Sequence, residues 1–173
     1  TNGVTQRAAA KITAPAAAYR TSVPETLQGK DTVTAFADNL SRLEVCAQKG
    51  LAERFDASIG ASSVLMPFGG KHQLTPEEAM VAKIPLEQGQ TDDATAMSFG
   101  AIPGLLTESP FHGAVFAVME SLAKLAAVGA DPTNARLTFQ EYFERLGDKP
   151  ERWGKPAAAL LGAFTAQLEM GVP

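Results

Sequence analysis

The 173 residues contain one cysteine, two histidines and one tryptophan, so three residue types on which chemistry often depends are nearly absent. With Cys46 alone no disulfide can close within the chain, which excludes a disulfide framework and fits a cytoplasmic setting. No motif around Cys46 points to nucleophilic work. No apolar run approaches the roughly 18 residues of a membrane span. The alanine-rich start, residues 8–18, is broken by Lys11 and Pro15 and lacks the apolar centre of a signal segment. A long basic run is missing too, and the formal net charge of -4 argues against nucleic acid or anionic membrane as the main partner. Small anionic ligands stay open, because a local loop binds phosphate whatever the net charge. Hydrophobic residues are not scarce: at 45%, with 20% charged, the composition is that of a packed globular chain long enough for one domain with a substantial core.

Residues 1–30, rich in Ala, Thr and Pro without a sustained period, read as a linker or extended arm, and residues 31–173 as the domain. The sequence starts at Thr1 without Met and stops at Pro173 straight after a predicted helix, so it reads as a fragment of a larger protein. Asp31 or Thr32 caps a predicted helix in which Val33, Phe36, Ala37, Leu40 and Leu43 recur at helical spacing. Residues 62–66, 80–84 and 94–99 read as strands, the last two separated by turn residues 89–93. Ser109-Pro110 is a strong helix start and Gly129 with Asp131-Pro132 a strong stop. Between them Ala114, Ala117, Val118, Ser121, Leu122 and Leu125 make a narrow face suited to close packing. Residues 136–143 alternate as a strand that frays into a turn. Residues 156–170 close the chain as a helix with Leu160, Leu161, Phe164 and Leu168 on its expected buried side. Helices grouped between about four strands predict an α+β fold, a two-layer sandwich.

Asp56, Asp92, Asp93, Glu120 and Lys71 are the polar residues whose settings stand out. Asp93, at the entry to a predicted strand, either aims at a ligand or bonds the turn amides. Glu120 lies mid-helix with His112, Phe116 and Lys124 on its stripe. It is either a surface ion pair with Lys124, worth about 0.3–0.5 kcal/mol, or a magnesium ligand beside nucleotide phosphates. His112, in the first helical turn, is a weak catalytic candidate. Phe68-Gly69-Gly70-Lys71 offers glycine amides and a lysine charge to a phosphate, or is a plain glycine turn. It is not a Walker loop, whose glycine spacing it lacks. Arg152 to Lys155 brackets Trp153 with cations at the mouth of the last predicted helix, where anchoring the helix start is the usual role.

Four blocks in order, RFDASIG (54–60), VLMPFGGKHQLTPEEAMVAKIP (64–85), SPFHGAVFAVMESLAKLAAVGAD (109–131) and FQEYFERLGDKPERWGKPAAALLGAF (139–164), resemble the large single-chain phosphoribosylformylglycinamidine synthase over residues 43–173. That family converts formylglycinamide ribonucleotide, glutamine and ATP to the amidine, ADP and phosphate in purine biosynthesis. The segment is similar to the aminoimidazole-ribonucleotide-synthetase-like N-terminal domain of the synthase's second half. The resemblance implies a mixed four-stranded sheet with helices on one face, the open face pairing with a sister domain into a barrel. The implied partners are that sister domain, the following C-terminal domain and the glutaminase domain. An isolated copy is expected to be inactive and to homodimerise through the open sheet.

The resemblance also carries candidate sites. In the family the catalytic ATP site belongs mainly to the first half, and the second half holds an auxiliary nucleotide. Its magnesium is held by an acid at a strand entry, a helix glutamate and an asparagine four residues on, with an acid from the C-terminal domain. Asp93 matches the first and Glu120 the second, but Lys124 stands at the asparagine position. An ammonium has no lone pair for a metal, so either this site lacks magnesium or a salt bridge has replaced it. Lys49, Asp56 and Lys71 are further positions the resemblance places at the nucleotide or interdomain surface. ATP or ADP with Mg2+ is implied for the intact enzyme; for this segment, binding them and serving purely as scaffold both stay open.

Overall fold

The computed structural model describes residues 7–14, 23–54 and 62–173; Asp56 and the RFDASIG block beyond Arg54 lie outside them. Among these residues the fold is mixed α and β, with five α-helices and two two-stranded sheets. The α+β expectation holds at that level. The chain divides into two compact units, Tyr19–Thr95 and Thr1–Ala18 with Ala96–Pro173.

In the unit Tyr19–Thr95, α1 (Thr32–Leu40) starts where its sequence says it should. Asp31 sits in extended backbone and its carboxylate accepts the Val33 and Thr34 amides, both at 3.1 Å, two donors that have no partner inside the helix. Val33, Phe36 and Leu40 are all exposed, so the apolar stripe of α1 is uncovered. A short α2 (Lys49–Ala52) follows. β1 (Phe68–Gly69) and β2 (Thr75–Pro76) form an antiparallel hairpin, Phe68 opposite Pro76 and Gly69 opposite Thr75, where the sequence suggested a phosphate-binding loop or a glycine turn and no strand pair. β3 (Ala79–Lys83) and β4 (Ala94–Ser98) form the second sheet within a residue of their predicted bounds, closed by the Ile84 amide donating to Asp93 O at 3.0 Å. The predicted strand at 62–66 is corrected to a single bridge, Ser63 to Ala82. The Val64 and Leu65 amides both donate to Val81 O, and two donors on one acceptor cannot continue the alternation of a ladder.

In the other unit, α3 (Pro103–Glu108), α4 (Pro110–Ala127) and α5 (Pro150–Met170) supply the packing. α4 begins at the predicted Ser109-Pro110 and stops at Gly129, whose φ of 85° lets the Ala130 amide reach back to Leu125 O at 3.0 Å. α5 starts at Pro150, six residues before the predicted Pro156, and carries Pro156 inside it. Both prolines are acceptable at a first turn; the Trp153 indole donating to Gly147 O and Arg152 donating to Arg145 O fasten the earlier start.

The larger correction is to the inward face of α5. Leu160, Leu161, Phe164 and Leu168, predicted buried, are all exposed, while Ala158, Ala159, Gly162, Ala163 and Ala166 are buried. α4 and α5 approach too closely for large side chains: a Cβ on Gly162 would meet Phe111 O at 2.1 Å. The core they enclose is Val118, Leu122, Ala166 and Val172, with Val115, Ala135 and Leu137 against it. The predicted strand at 136–143 is corrected as well. Its alternation is genuine, but no ladder forms along it among the described residues; the Leu137 amide donates to Pro173 O. Residues 7–14 form no helix or strand and are tied down: the Lys11 amide donates to Pro150 O at 2.8 Å and its ammonium lies 3.5 Å from Glu151.

Candidate functional site

Four residues along α4 (Ala117, Glu120, Ser121 and Lys124) share one side of the helix at steps of three and four, and together they grip the segment that leaves β4. Ser98 Oγ donates to Ser121 O at 2.7 Å. Gly100 lies so close that a Cβ there would meet Ala117 O at 1.9 Å. The Ala101 amide donates to Glu120 Oε2 at 2.9 Å. Lys124 Nζ stands 3.0 Å from Glu120 Oε1 and 4.3 Å from the centre of the Phe99 ring, so one ammonium serves a carboxylate and an aromatic face together. Its side chain is only 13% exposed, which marks this as a built contact rather than a solvated pair.

This arrangement does not fit a metal. Both Glu120 oxygens are engaged, one by a backbone amide and one by Lys124, and the ammonium offers no lone pair. Among the described residues no group of three or more His, Cys, Asp or Glu side chains is placed to hold an ion. Asp93 lies in the other unit, where its carboxylate accepts from Thr91 Oγ1 at 3.2 Å and its amide donates to the same oxygen at 3.1 Å. Both contacts lie within the turn that leads into β4. Its neighbour Asp92 is paired with Lys83 at 2.8 Å, and that hydrogen bond holds the Asp92 carboxyl below its ordinary range.

Of the remaining predicted residues, Asp56 lies outside the described ones. Lys49 opens α2 and pairs with Glu53 at 3.5 Å along the helix. Lys71 sits exposed in the turn of the β1–β2 hairpin, after Gly70 at φ 79°. His112 Nδ1 lies 2.8 Å from Ser109 Oγ, but that serine is buried and accepts from the His112 amide as the cap of α4. The pair is a helix start with a side-chain brace.

Two features escaped the sequence reading. The Phe99–Lys124 and Ala101–Glu120 contacts join residues far apart in the chain and have no local pattern. A groove of about 390 Å3 opens beside them, floored by Gly100, Ala117, Ala159 and Ala163 and edged by the Lys155–Glu144 ion pair at 2.6 Å. The hydrogen bond from Lys155 holds the Glu144 carboxyl below its ordinary value.

Among curated proteins, the phosphoribosylformylglycinamidine synthase subunit PurL of Thermoplasma acidophilum is 24% identical over 112 residues, 64% of this chain. The chain is distantly similar to that synthase subunit. The match spans 14% of the subunit's own length. No family profile matches the chain, and no solved structure matches it. No helix among the described residues is long and apolar enough to cross a membrane.

Proposed function

We propose that this chain is a non-catalytic domain of a phosphoribosylformylglycinamidine synthase, serving as scaffold for the ATP- and glutamine-dependent conversion of formylglycinamide ribonucleotide to its amidine in the cytoplasm. The distant likeness to PurL and the four blocks of the sequence support the family. The observation that carries the scaffold role is the Glu120 carboxylate, closed off by Lys124 and the Ala101 amide where a magnesium ligand would need it open. A salt bridge takes the place of the ion, and the auxiliary nucleotide pocket is lost with it.

The exposed alternation of β4 supports a sheet partner. Ala96 and Ser98 are half-buried, Ser98 against α4, whereas Met97 between them is 64% exposed. In the synthase that outward face belongs against the sister N-terminal domain, completing the four-stranded sheet and the barrel. The following C-terminal domain and the glutaminase domain are the further partners.

Three measurements test this. The intact protein carrying the segment is expected to release ADP from ATP only when formylglycinamide ribonucleotide and glutamine are both present; no such release overturns the family assignment. In that protein Glu120→Gln is expected to lower thermal stability while leaving the Mg2+ dependence and kcat unchanged. Calorimetric titration of this domain with ADP and Mg2+ should show no saturable heat. Tight binding abolished by Glu120→Gln would restore the nucleotide-pocket reading instead.

A further inference from the structure

α5 carries two apolar faces, and only one of them has a partner. The small residues Ala158, Ala159, Gly162, Ala163 and Ala166 are buried on the side turned to α4. On the opposite side Leu160, Leu161, Phe164 and Leu168 are 63%, 48%, 54% and 66% exposed. At 3.6 residues per turn these four fall within a stripe roughly 100° wide, the width of a core-facing helix surface. From Pro156 through Leu168 no residue is charged. A helix apolar on all sides is a helix with neighbours on all sides.

We propose that the outer stripe of α5 docks against the same stripe of a second copy of this chain, about a two-fold axis. The occupant follows from charge and area. A two-fold axis brings each residue near its own equivalent, which a charged stripe resists and an uncharged one permits. Leu160, Phe164 and Leu168 recur at four-residue steps, forming the ridge that interdigitates with an identical ridge at a crossing near -50°. Taking roughly 200 Å2 for a fully exposed Leu or Phe, the exposures leave on the order of 450 Å2 on each copy. Two copies bury at most about 900 Å2, short of the roughly 1,200 Å2 at which standard specific interfaces begin, so the dimer is weak and concentration-dependent. This contact is separate from the outward face of β4 and stands or falls independently of the synthase assignment.

Sedimentation velocity on the whole chain, from about 5 to 500 µM, is expected to move from one 18.2 kDa chain toward twice that mass. Leu160→Glu with Phe164→Glu is expected to hold the chain monomeric throughout, with an unchanged far-ultraviolet circular dichroism spectrum because both sites are exposed. Met97→Glu with Phe99→Glu should leave the dimer in place. A wild-type chain monomeric at every concentration overturns the proposal, as does a dimer that the α5 substitutions leave intact. If substitutions on both faces dissociate it, spin labels at Thr165→Cys in a Cys46→Ser background decide. A separation under about 25 Å, two helix diameters, supports the α5 contact, and a longer one overturns it.

Discussion

Single residues fix the segment leaving β4 to α4, and they do so by different physics. Gly100 acts by absence: with 1.9 Å between a would-be Cβ and Ala117 O, Gly100→Ala must push the segment away from the helix. Such overpacking costs about 1–3 kcal/mol. A fall in the denaturation midpoint, with the Ala101 amide losing hydrogen-exchange protection, is the expected outcome. Ser109 acts by satisfying donors at the start of α4, being buried, within 3.4 Å of the His112 amide and 2.8 Å from His112 Nδ1. Ser109→Ala is expected to cost about 0.5–2 kcal/mol by chemical denaturation, the range of a lost cap, and to unsettle the His112 ring visibly by NMR. Both positions sit in unit Ala96–Pro173, so the same assay reads both.

At the scale of elements, helix ends were legible and helix faces were not. Asp31 and Ser109 could be read as caps because capping is a relation between residues two or three apart, and both do cap. Which side of α5 turns inward depends on how closely α4 approaches, a distance the α5 sequence alone does not contain. Hydropathy chose the leucines; the backbone approach at Gly162 chose the alanines. Residues 136–143 fail for a related reason, since alternation makes a segment suited to a sheet but cannot provide the strand beside it. The site was half legible: Glu120 and Lys124 are four residues apart and could be paired from sequence, whereas Phe99 and Ala101 come from a distant segment. The element ends also set the acid response. Asp31, hydrogen-bonded by Thr34, and Asp131, hydrogen-bonded by Thr133 at the stop after α4, are both held below the ordinary carboxyl value near 4. Glu144, bonded by Lys155 at the start of α5, is lowered too. A lowered folded value means stability fully present above about pH 4 and lost as pH falls through the folded values. The melting temperature should therefore be level from pH 7 to 5 and drop below about pH 4, with a shallower drop in Asp31→Asn and Asp131→Asn.

Across the whole molecule, size and position run opposite to the usual rule. Among the described residues Leu105, Val118, Leu122 and Val172 are the larger apolar side chains that are buried, while Phe36, Phe99, Phe164, Leu160 and Leu168 are exposed. Scattered exposed hydrophobics are normal, but a capped amphipathic helix with none of its residues buried and a second helix with an uncharged outer stripe are not scattered. This distribution was invisible to composition, which registers how much hydrocarbon a chain holds and nothing of where it lies.

The small-residue seam between α4 and α5 has one more consequence. Alanine and glycine bring two backbones together while removing little hydrocarbon from water, so the seam contributes far less than a seam of leucines at about 25 cal/mol per Å2 of apolar area. The hydrocarbon that would make this chain robust is on its outside, released only when another surface covers it. If the outer stripe of α5 docks as proposed, folding and assembly become one equilibrium, and stability depends on concentration. The melting temperature is expected to climb by several degrees between about 2 and 200 µM chain and to stop climbing in the Leu160→Glu, Phe164→Glu variant.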